Sequence, residues 1–98
     1  MAYQIRWSPD ALDHLRLLRA HERAIVFDGV QRDLTDRPTE AARNRKLLRE
    51  NPLATWELRL GQLRVFYDVN DGDVAVEVLA IGVKEHNRLR IAGEEVQL

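Results

Sequence analysis

The chain has 98 residues, no cysteine, and a formal charge of −1 from 15 Lys+Arg against 16 Asp+Glu. A length of that order supports one small domain, here 1–98, which buries only about 60–65% of the surface its unfolded chain exposes. The lack of cysteine excludes a disulfide framework and a cysteine-based zinc site, no apolar run reaches the ~18–20 residues of a membrane span, and Met1-Ala2-Tyr3-Gln4 does not open as a signal peptide does, so a cytosolic protein with no membrane partner is expected.

Tyr3-Gln4-Ile5-Arg6-Trp7 alternates in polarity and is rich in β formers, which predicts a short strand. Ser8-Pro9-Asp10 then starts a helix, with Ser as cap, Pro at the first helical position and Asp in the electropositive first turn. Ala11, Leu12, Leu15 and Leu18 give it one apolar stripe, with Leu17 at the margin. A break near Ala20-His21 leads into a second helix with Ile25, Val26, Val30 and Leu34 on one face, ended by Arg37-Pro38. Gly29 sits within that stripe, where a helix normally loses ~1 kcal/mol by carrying it; close packing against the first helix accounts for it. The two together read as an antiparallel helical hairpin. His14 and His21, on these helices, read as surface residues.

Residues 39–53 form a basic connector. Thr39 to Arg43 suit a helical turn, Leu47 and Leu48 are expected to tuck inward, and Asn51-Pro52 closes the segment. Charge is segregated here: residues 43–67 carry Arg43, Arg45, Lys46, Arg49, Arg59 and Arg64 against Glu50 and Glu57 only, while Asp68, Asp71, Asp73 and Glu77 follow at once. Thirteen of the fifteen basic residues are arginine, which forks onto phosphate and stacks on bases.

The remainder reads as a β-meander. Gly61-Gln62 suits a type II′ two-residue turn and Asp71-Gly72 a type I′ turn. Taken so, Leu60 pairs with Leu63, Leu58 with Val65 and Trp56 with Tyr67; then Val65 pairs with Val78, Tyr67 with Val76 and Val69 with Val74. All fall on one face, the one that receives the helices. The expected class is therefore α+β: an N-terminal strand and a helical hairpin packed on one face of a small, mainly antiparallel sheet.

The same register puts Arg59 opposite Arg64 on the uncovered face, a like-charge pair that costs a hairpin up to ~1 kcal/mol. Glu57, Phe66, Asp68, Glu77, Leu79 and Ile81 surround it. Two guanidiniums beside an aromatic ring suit a phosphate and a stacked base; the plainer alternative is that Arg64 pairs diagonally with Glu77 and Arg59 is solvated. Past the last strand, Lys84, His86, Arg88 and Arg90 can reach the same surface. No metal-ligand spacing joins the three histidines and there is no glycine-rich phosphate loop, so neither metal nor cofactor is expected.

Trp56-Glu57-Leu58-Arg59-Leu60-Gly61-Gln62-Leu63-Arg64-Val65-Phe66-Tyr67-Asp68-Val69 and Val78-Leu79-Ala80-Ile81-Gly82-Val83-Lys84 carry a resemblance. They look like the "LRxGxxRVxY" hairpin and the "VLxIGxR/K" last strand of the RelE/ParE superfamily, toxins of bacterial type II toxin–antitoxin systems with a microbial-RNase-like fold. The resemblance implies a toxin held by a small antitoxin protein. RelE-like members are ribosome-dependent mRNA endonucleases that need no metal: the codon's own 2′-hydroxyl attacks the adjacent phosphate. Carried across, Arg64 matches the arginine on the scissile phosphate, Arg59 a basic strand residue and Lys84 the basic residue after Ile-Gly.

Two departures stand out. Glu57 occupies a position that is basic in the family, and the C-terminal tyrosine of some members is missing, which leaves either His86 or Glu57 to supply acid–base chemistry, His86 being preferred because imidazole titrates near neutrality. The implied catalytic set is Arg59, Arg64, Lys84 and His86; the implied RNA contacts are Arg43, Arg45, Lys46, Arg49, Phe66, Arg88 and Arg90. Two further readings stay open: a ParE-like inhibitor of DNA gyrase that cleaves nothing, and a catalytically weak relative kept by its antitoxin.

Overall fold

In a computed structural model of the chain, which describes residues 2–98, strand β1 spans Gln4–Trp7 and is followed by helices α1 (Pro9–Arg16) and α2 (Ala20–Leu34). Six further strands follow: β2 (Arg45–Leu47), β3 (Trp56–Leu60), β4 (Leu63–Asn70), β5 (Ala75–Glu85), β6 (Arg88–Ile91) and β7 (Glu94–Val96). The sheet runs β2-β3-β4-β5-β6-β7, with β1 added beside the first half of β5. Only β1 is parallel to its neighbour, pairing Ile5 with Val76 and Trp7 with Val78. The α+β class read from the sequence is the observed one. No helix among the described residues is long and apolar enough to cross a membrane.

The helices cover one face of the sheet, as the alternation of β3 and β4 requires. Ala11, Leu15, Val26, Val30 and Leu34 pack on Trp56, Leu58, Val65, Tyr67, Val76, Val78 and Ile81. Ser8 caps α1 by accepting from the Ala11 N–H at 3.0 Å. The Tyr67 hydroxyl, buried in this core, donates to the Pro38 carbonyl at 2.7 Å and fixes the chain beyond α2. Burial holds that phenol above its ordinary value of 10.0. Ile25 and Leu12, counted into the apolar stripes, are instead 45% and 43% exposed. Gly29 does allow a close approach, but to β3: a Cβ there would lie 2.5 Å from Leu60 Cδ1.

The meander corrects the expected register in its second half. The β3–β4 hairpin pairs Leu60 with Leu63, Leu58 with Val65 and Trp56 with Tyr67, as read from Gly61-Gln62. The β4–β5 connection is longer, because the turn takes all of Asp71–Val74 rather than two residues. Tyr67 therefore faces Val78 and Val69 faces Val76, a slip of two that keeps each side chain on its face. A bulge follows. Phe66 pairs with Ala80 while Tyr67 pairs with Val78, so Leu79 is the extra residue and the phase of β5 inverts beyond it. Ile81 thus enters the helix-side core, and Ala80, Gly82 and Lys84 turn to the other face.

The bulged stretch of β5 lies between the end of β1 and the start of β6, and α1 fills the gap. The Ser8 hydroxyl donates to the Leu79 carbonyl at 3.1 Å, and His14 Nδ1 accepts from the Ile81 N–H at 3.1 Å. His14 is accordingly a structural residue and not a free surface one.

The connector also differs from expectation. Thr39–Arg43 makes turns without a helix, and Arg45–Leu47 pairs with β3 as a short edge strand that leaves Leu47 57% exposed. Beyond Lys84 the chain does not leave the sheet. His86 and Asn87, at φ +51° and +64°, make a two-residue turn into β6, and Ala92 and Gly93, at +53° and +80°, make another into β7. This C-terminal double hairpin folds over the open face, where Leu89, Ile91 and Leu98 join Leu48 and Leu53 around Phe66, Ala54 and Ala80 in a second apolar cluster. Gly82 makes that possible: a Cβ there would stand 2.9 Å from the Arg90 carbonyl oxygen.

Candidate functional site

On the sheet face away from the helices lies a cleft of about 710 Å³, bounded by Lys46, Arg49, Glu57, Arg59, Lys84 and the C-terminal Gln97-Leu98. Each cation arrives by a separate piece of local structure. Lys46 stands opposite Glu57 across β2–β3, and Arg59 opposite Arg64 across β3–β4. Arg49 rides on a loop organised by Asn51, whose Oδ1 accepts from the Leu53 and Ala54 N–H groups at 2.8 and 3.1 Å. Lys84 is in the cleft because of the bulge; an uninterrupted β5 in the expected phase would turn it to the helices.

The like-charge pair read from the sequence is present, and its counter-ion is Glu57 rather than Glu77. One oxygen, Glu57 Oε1, lies 3.0 Å from Arg64 Nε and 3.6 Å from Arg59 Nε. Glu57 is the one buried charged residue among those described, at 7% exposure. Arg64 is folded down beside it, its Nη1 donating to the carbonyls of Gly61 at 2.6 Å and Leu63 at 2.9 Å, and it forms no part of the cleft wall. Neither Nε–H is aligned on Glu57: both are buried and make no hydrogen bond, so the contact is close but purely electrostatic.

Of the residues singled out from the sequence, Arg59, Lys84, Lys46 and Arg49 therefore meet in one cleft, with Arg64 directly behind them. Phe66 lies in the cleft floor, and the others are placed elsewhere. His86 is exposed at the tip of the β5–β6 turn, outside the cleft, because that turn continues the sheet instead of leaving it. Arg88 and Arg90 face away: they pair with Glu85 and Val83, whose side chains alternate with Lys84. Arg45 donates from Nε to the Glu40 carbonyl and from Nη1 to the Asp33 carbonyl, 2.9 and 3.1 Å, and so serves the end of α2. Arg43 is exposed in the turn before β2 and lies apart from the cleft. Phe66, in the cleft floor, is only 1% exposed, covered by the second cluster, so no base can stack on its ring. Sequence reading assigned no part to Gln97 and Leu98; the glycine of Ala92-Gly93 was the available sign of a hairpin that would bring them there.

Solved structures resemble the chain over most of its length. The toxin–antitoxin complex RelBE2 from Mycobacterium tuberculosis contains a chain 26% identical, with a TM-score of 0.72 over 86% of this chain and 100% of that one. A variant of E. coli toxin RelE, bound to a peptide of the antitoxin RelB, is 30% identical, with a TM-score of 0.65 over 87% of this chain and 86% of that one. The archaeal RelE–RelB complex from Pyrococcus horikoshii OT3 shares the fold at 20% identity, with a TM-score of 0.59 over 83% and 93%. A search of curated proteins gave no match. A family model described as the ParE toxin of the type II toxin–antitoxin system, parDE, matches residues 5–88, from within β1 to the first residue of β6. The chain thus belongs to the RelE/ParE superfamily of type II toxin–antitoxin toxins.

Proposed function

We propose that this toxin is a ribosome-dependent endoribonuclease that inhibits translation by cutting mRNA, with the cleft holding the RNA backbone. The observation that carries the reading is the meeting of Lys46, Arg49, Arg59 and Lys84, from two strands, a loop and a bulged strand, in one concavity. Cleavage proceeds by attack of a 2′-oxygen, its proton passing to solvent water, on the neighbouring phosphorus, with the 5′-oxygen leaving, and negative charge builds on the phosphorane. Fixed cations aimed at that charge stabilise it without reorganising, the largest single contribution available to such a site. Arg59 remains protonated and stabilises charge only. Lys84 can both stabilise charge and hand a proton to the leaving 5′-oxygen. Lys46 and Arg49 hold flanking phosphates. The cognate antitoxin, by analogy with the antitoxin-bound relatives, is a small protein whose acidic segment complements this cleft.

The test is mRNA cleavage on programmed ribosomes. Arg59→Ala and Lys84→Ala are each expected to lower cleavage by about 100-fold or more, and His86→Ala to leave it unchanged. Full loss in His86→Ala would return the imidazole to the mechanism.

A second reading, inhibition of DNA gyrase without cleavage, is favoured by the ParE description of the matching family model and by the position of His86 outside the cleft. Pulse labelling after induction separates the two: early loss of protein synthesis marks the first, early loss of DNA synthesis the second.

A further inference from the structure

Glu57 is anomalous in its setting. It is a buried carboxylate on the floor of a cleft whose other charged side chains are positive, and it faces two arginines that the sheet register forces together. A like-charge pair directly across a ladder needs a counter-ion, and one carboxylate oxygen serves both guanidiniums. The service is incomplete, since both Nε–H groups remain without a hydrogen bond. Buried donors in that condition gain from any anion whose oxygens can align on them.

We propose that Glu57 is a resident counter-anion that holds the Arg59–Arg64 pair in the place of a phosphate, and that a phosphate entering the cleft competes with it for these guanidiniums. Glu57 is then a positioning residue that sets how strongly the cleft takes phosphate, not a proton-transfer group. It keeps Arg64 folded against Gly61 and Leu63, behind the cleft wall. A phosphate that reaches both guanidiniums displaces Glu57 from them and draws Arg64 into the cleft. The proposal deepens the reading of the cleft as a phosphate-binding surface and rests on it. Charge alone makes the outcome directional: removing one negative charge from among five cations strengthens the field at the cleft.

The experiment follows the Arg Nε–Hε signals in ¹⁵N-labelled protein while tripolyphosphate is added at fixed ionic strength. Glu57→Gln is expected to bind tripolyphosphate roughly tenfold more tightly than the parent. In that variant the Arg64 Nε–Hε signal moves toward the position of a free arginine. Glu57→Asp, which withdraws the carboxylate by one methylene, gives a smaller change in the same direction. In the parent, tripolyphosphate shifts the Arg59 signal and then releases Arg64 from its starting position. Equal or weaker binding by a folded Glu57→Gln overturns the proposal. So does a parent in which bound tripolyphosphate leaves both signals unmoved, a result that needs no variant to fold. If mRNA cleavage is absent, these binding constants are unaffected. If Glu57→Gln binds no more tightly, the dependence of cleavage on Arg59 and Lys84 still stands.

Discussion

His14 Nδ1 accepts a hydrogen bond from the Ile81 backbone N–H, joining the last turn of α1 to the strand just past its bulge. The bond requires a lone pair on Nδ1, so the ring proton sits on Nε2. Without it, an N–H inside the sheet has no partner, at a cost of about 1–3 kcal/mol. His14→Ala is expected to lower stability in urea by that amount. His14→Asn, whose amide oxygen can reach nearly the same point, is expected to recover most of it.

Val74 holds φ +51° at the end of the β4–β5 turn, a left-handed conformation poorly suited to a β-branched residue. Its carbonyl accepts from Gln4 and so anchors the start of β1. Relief of strain outweighs the added freedom of the unfolded chain, so Val74→Gly is expected to gain about 0.5–1 kcal/mol. Thermal melting of the two proteins checks this.

Gly82 sits beneath β6, with the Arg90 carbonyl too close for any side chain. Gly82→Ala should lift β6 from the sheet and loosen Leu89 and Ile91 above Phe66, costing about 1–3 kcal/mol. The loss is local. Hydrogen exchange should speed at β6 and β7 amides far more than at β3 or β4.

The Tyr67 phenol, raised by burial above its ordinary 10.0, makes stability depend on alkaline pH. The folded protein holds the proton more tightly than the unfolded chain. The contribution is therefore complete below the unfolded value and is lost as pH rises from there toward the folded one. Tyr67→Phe removes the bond to Pro38, costing about 1 kcal/mol at neutral pH. It should also flatten the decline of stability above pH ~10.

Lys84 and Arg90 lie on opposite faces of the β5–β6 hairpin. Lys84→Ala should weaken binding of single-stranded RNA and reduce the salt slope by about 0.7, one phosphate contact. Arg90→Ala should change neither. A titration at several salt concentrations distinguishes the two faces.

The legible parts of this fold are those where turn chemistry and alternation agree. Gly61-Gln62 fixes the β3–β4 register because a glycine at φ +62° opens a two-residue turn. The Asp71-Gly72 pair carries the same kind of signal, yet the chain uses four residues there, and only the period of two kept Val76 and Val78 on the correct face. The bulge at Leu79 has no local marker; it arises where Ser8 and His14 supply partners from α1. The β5–β6 hairpin is not legible because His86-Asn87 is an unusual turn pair, although asparagine tolerates positive φ. Charge alone singles out Arg59, Lys84, Lys46 and Arg49, which share the cleft, and equally Arg43 and Arg45, which do not. That Phe66 is covered, or that Glu57 joins two arginines, depends on long-range packing that spacing does not encode.

Inverting the phase of β5 at one residue has a consequence for how the sequence can change. Even-numbered positions before Leu79 supply the main core, and even-numbered positions after it supply the second cluster and the cleft. A single-residue insertion beyond the bulge would exchange these allegiances throughout the rest of the strand. Lys84 would turn toward the helices and Val83 toward the cleft, with every charged residue retained. Charge composition would be untouched while the chemistry of the face was lost, so length within this strand is as much a determinant of activity as any basic side chain.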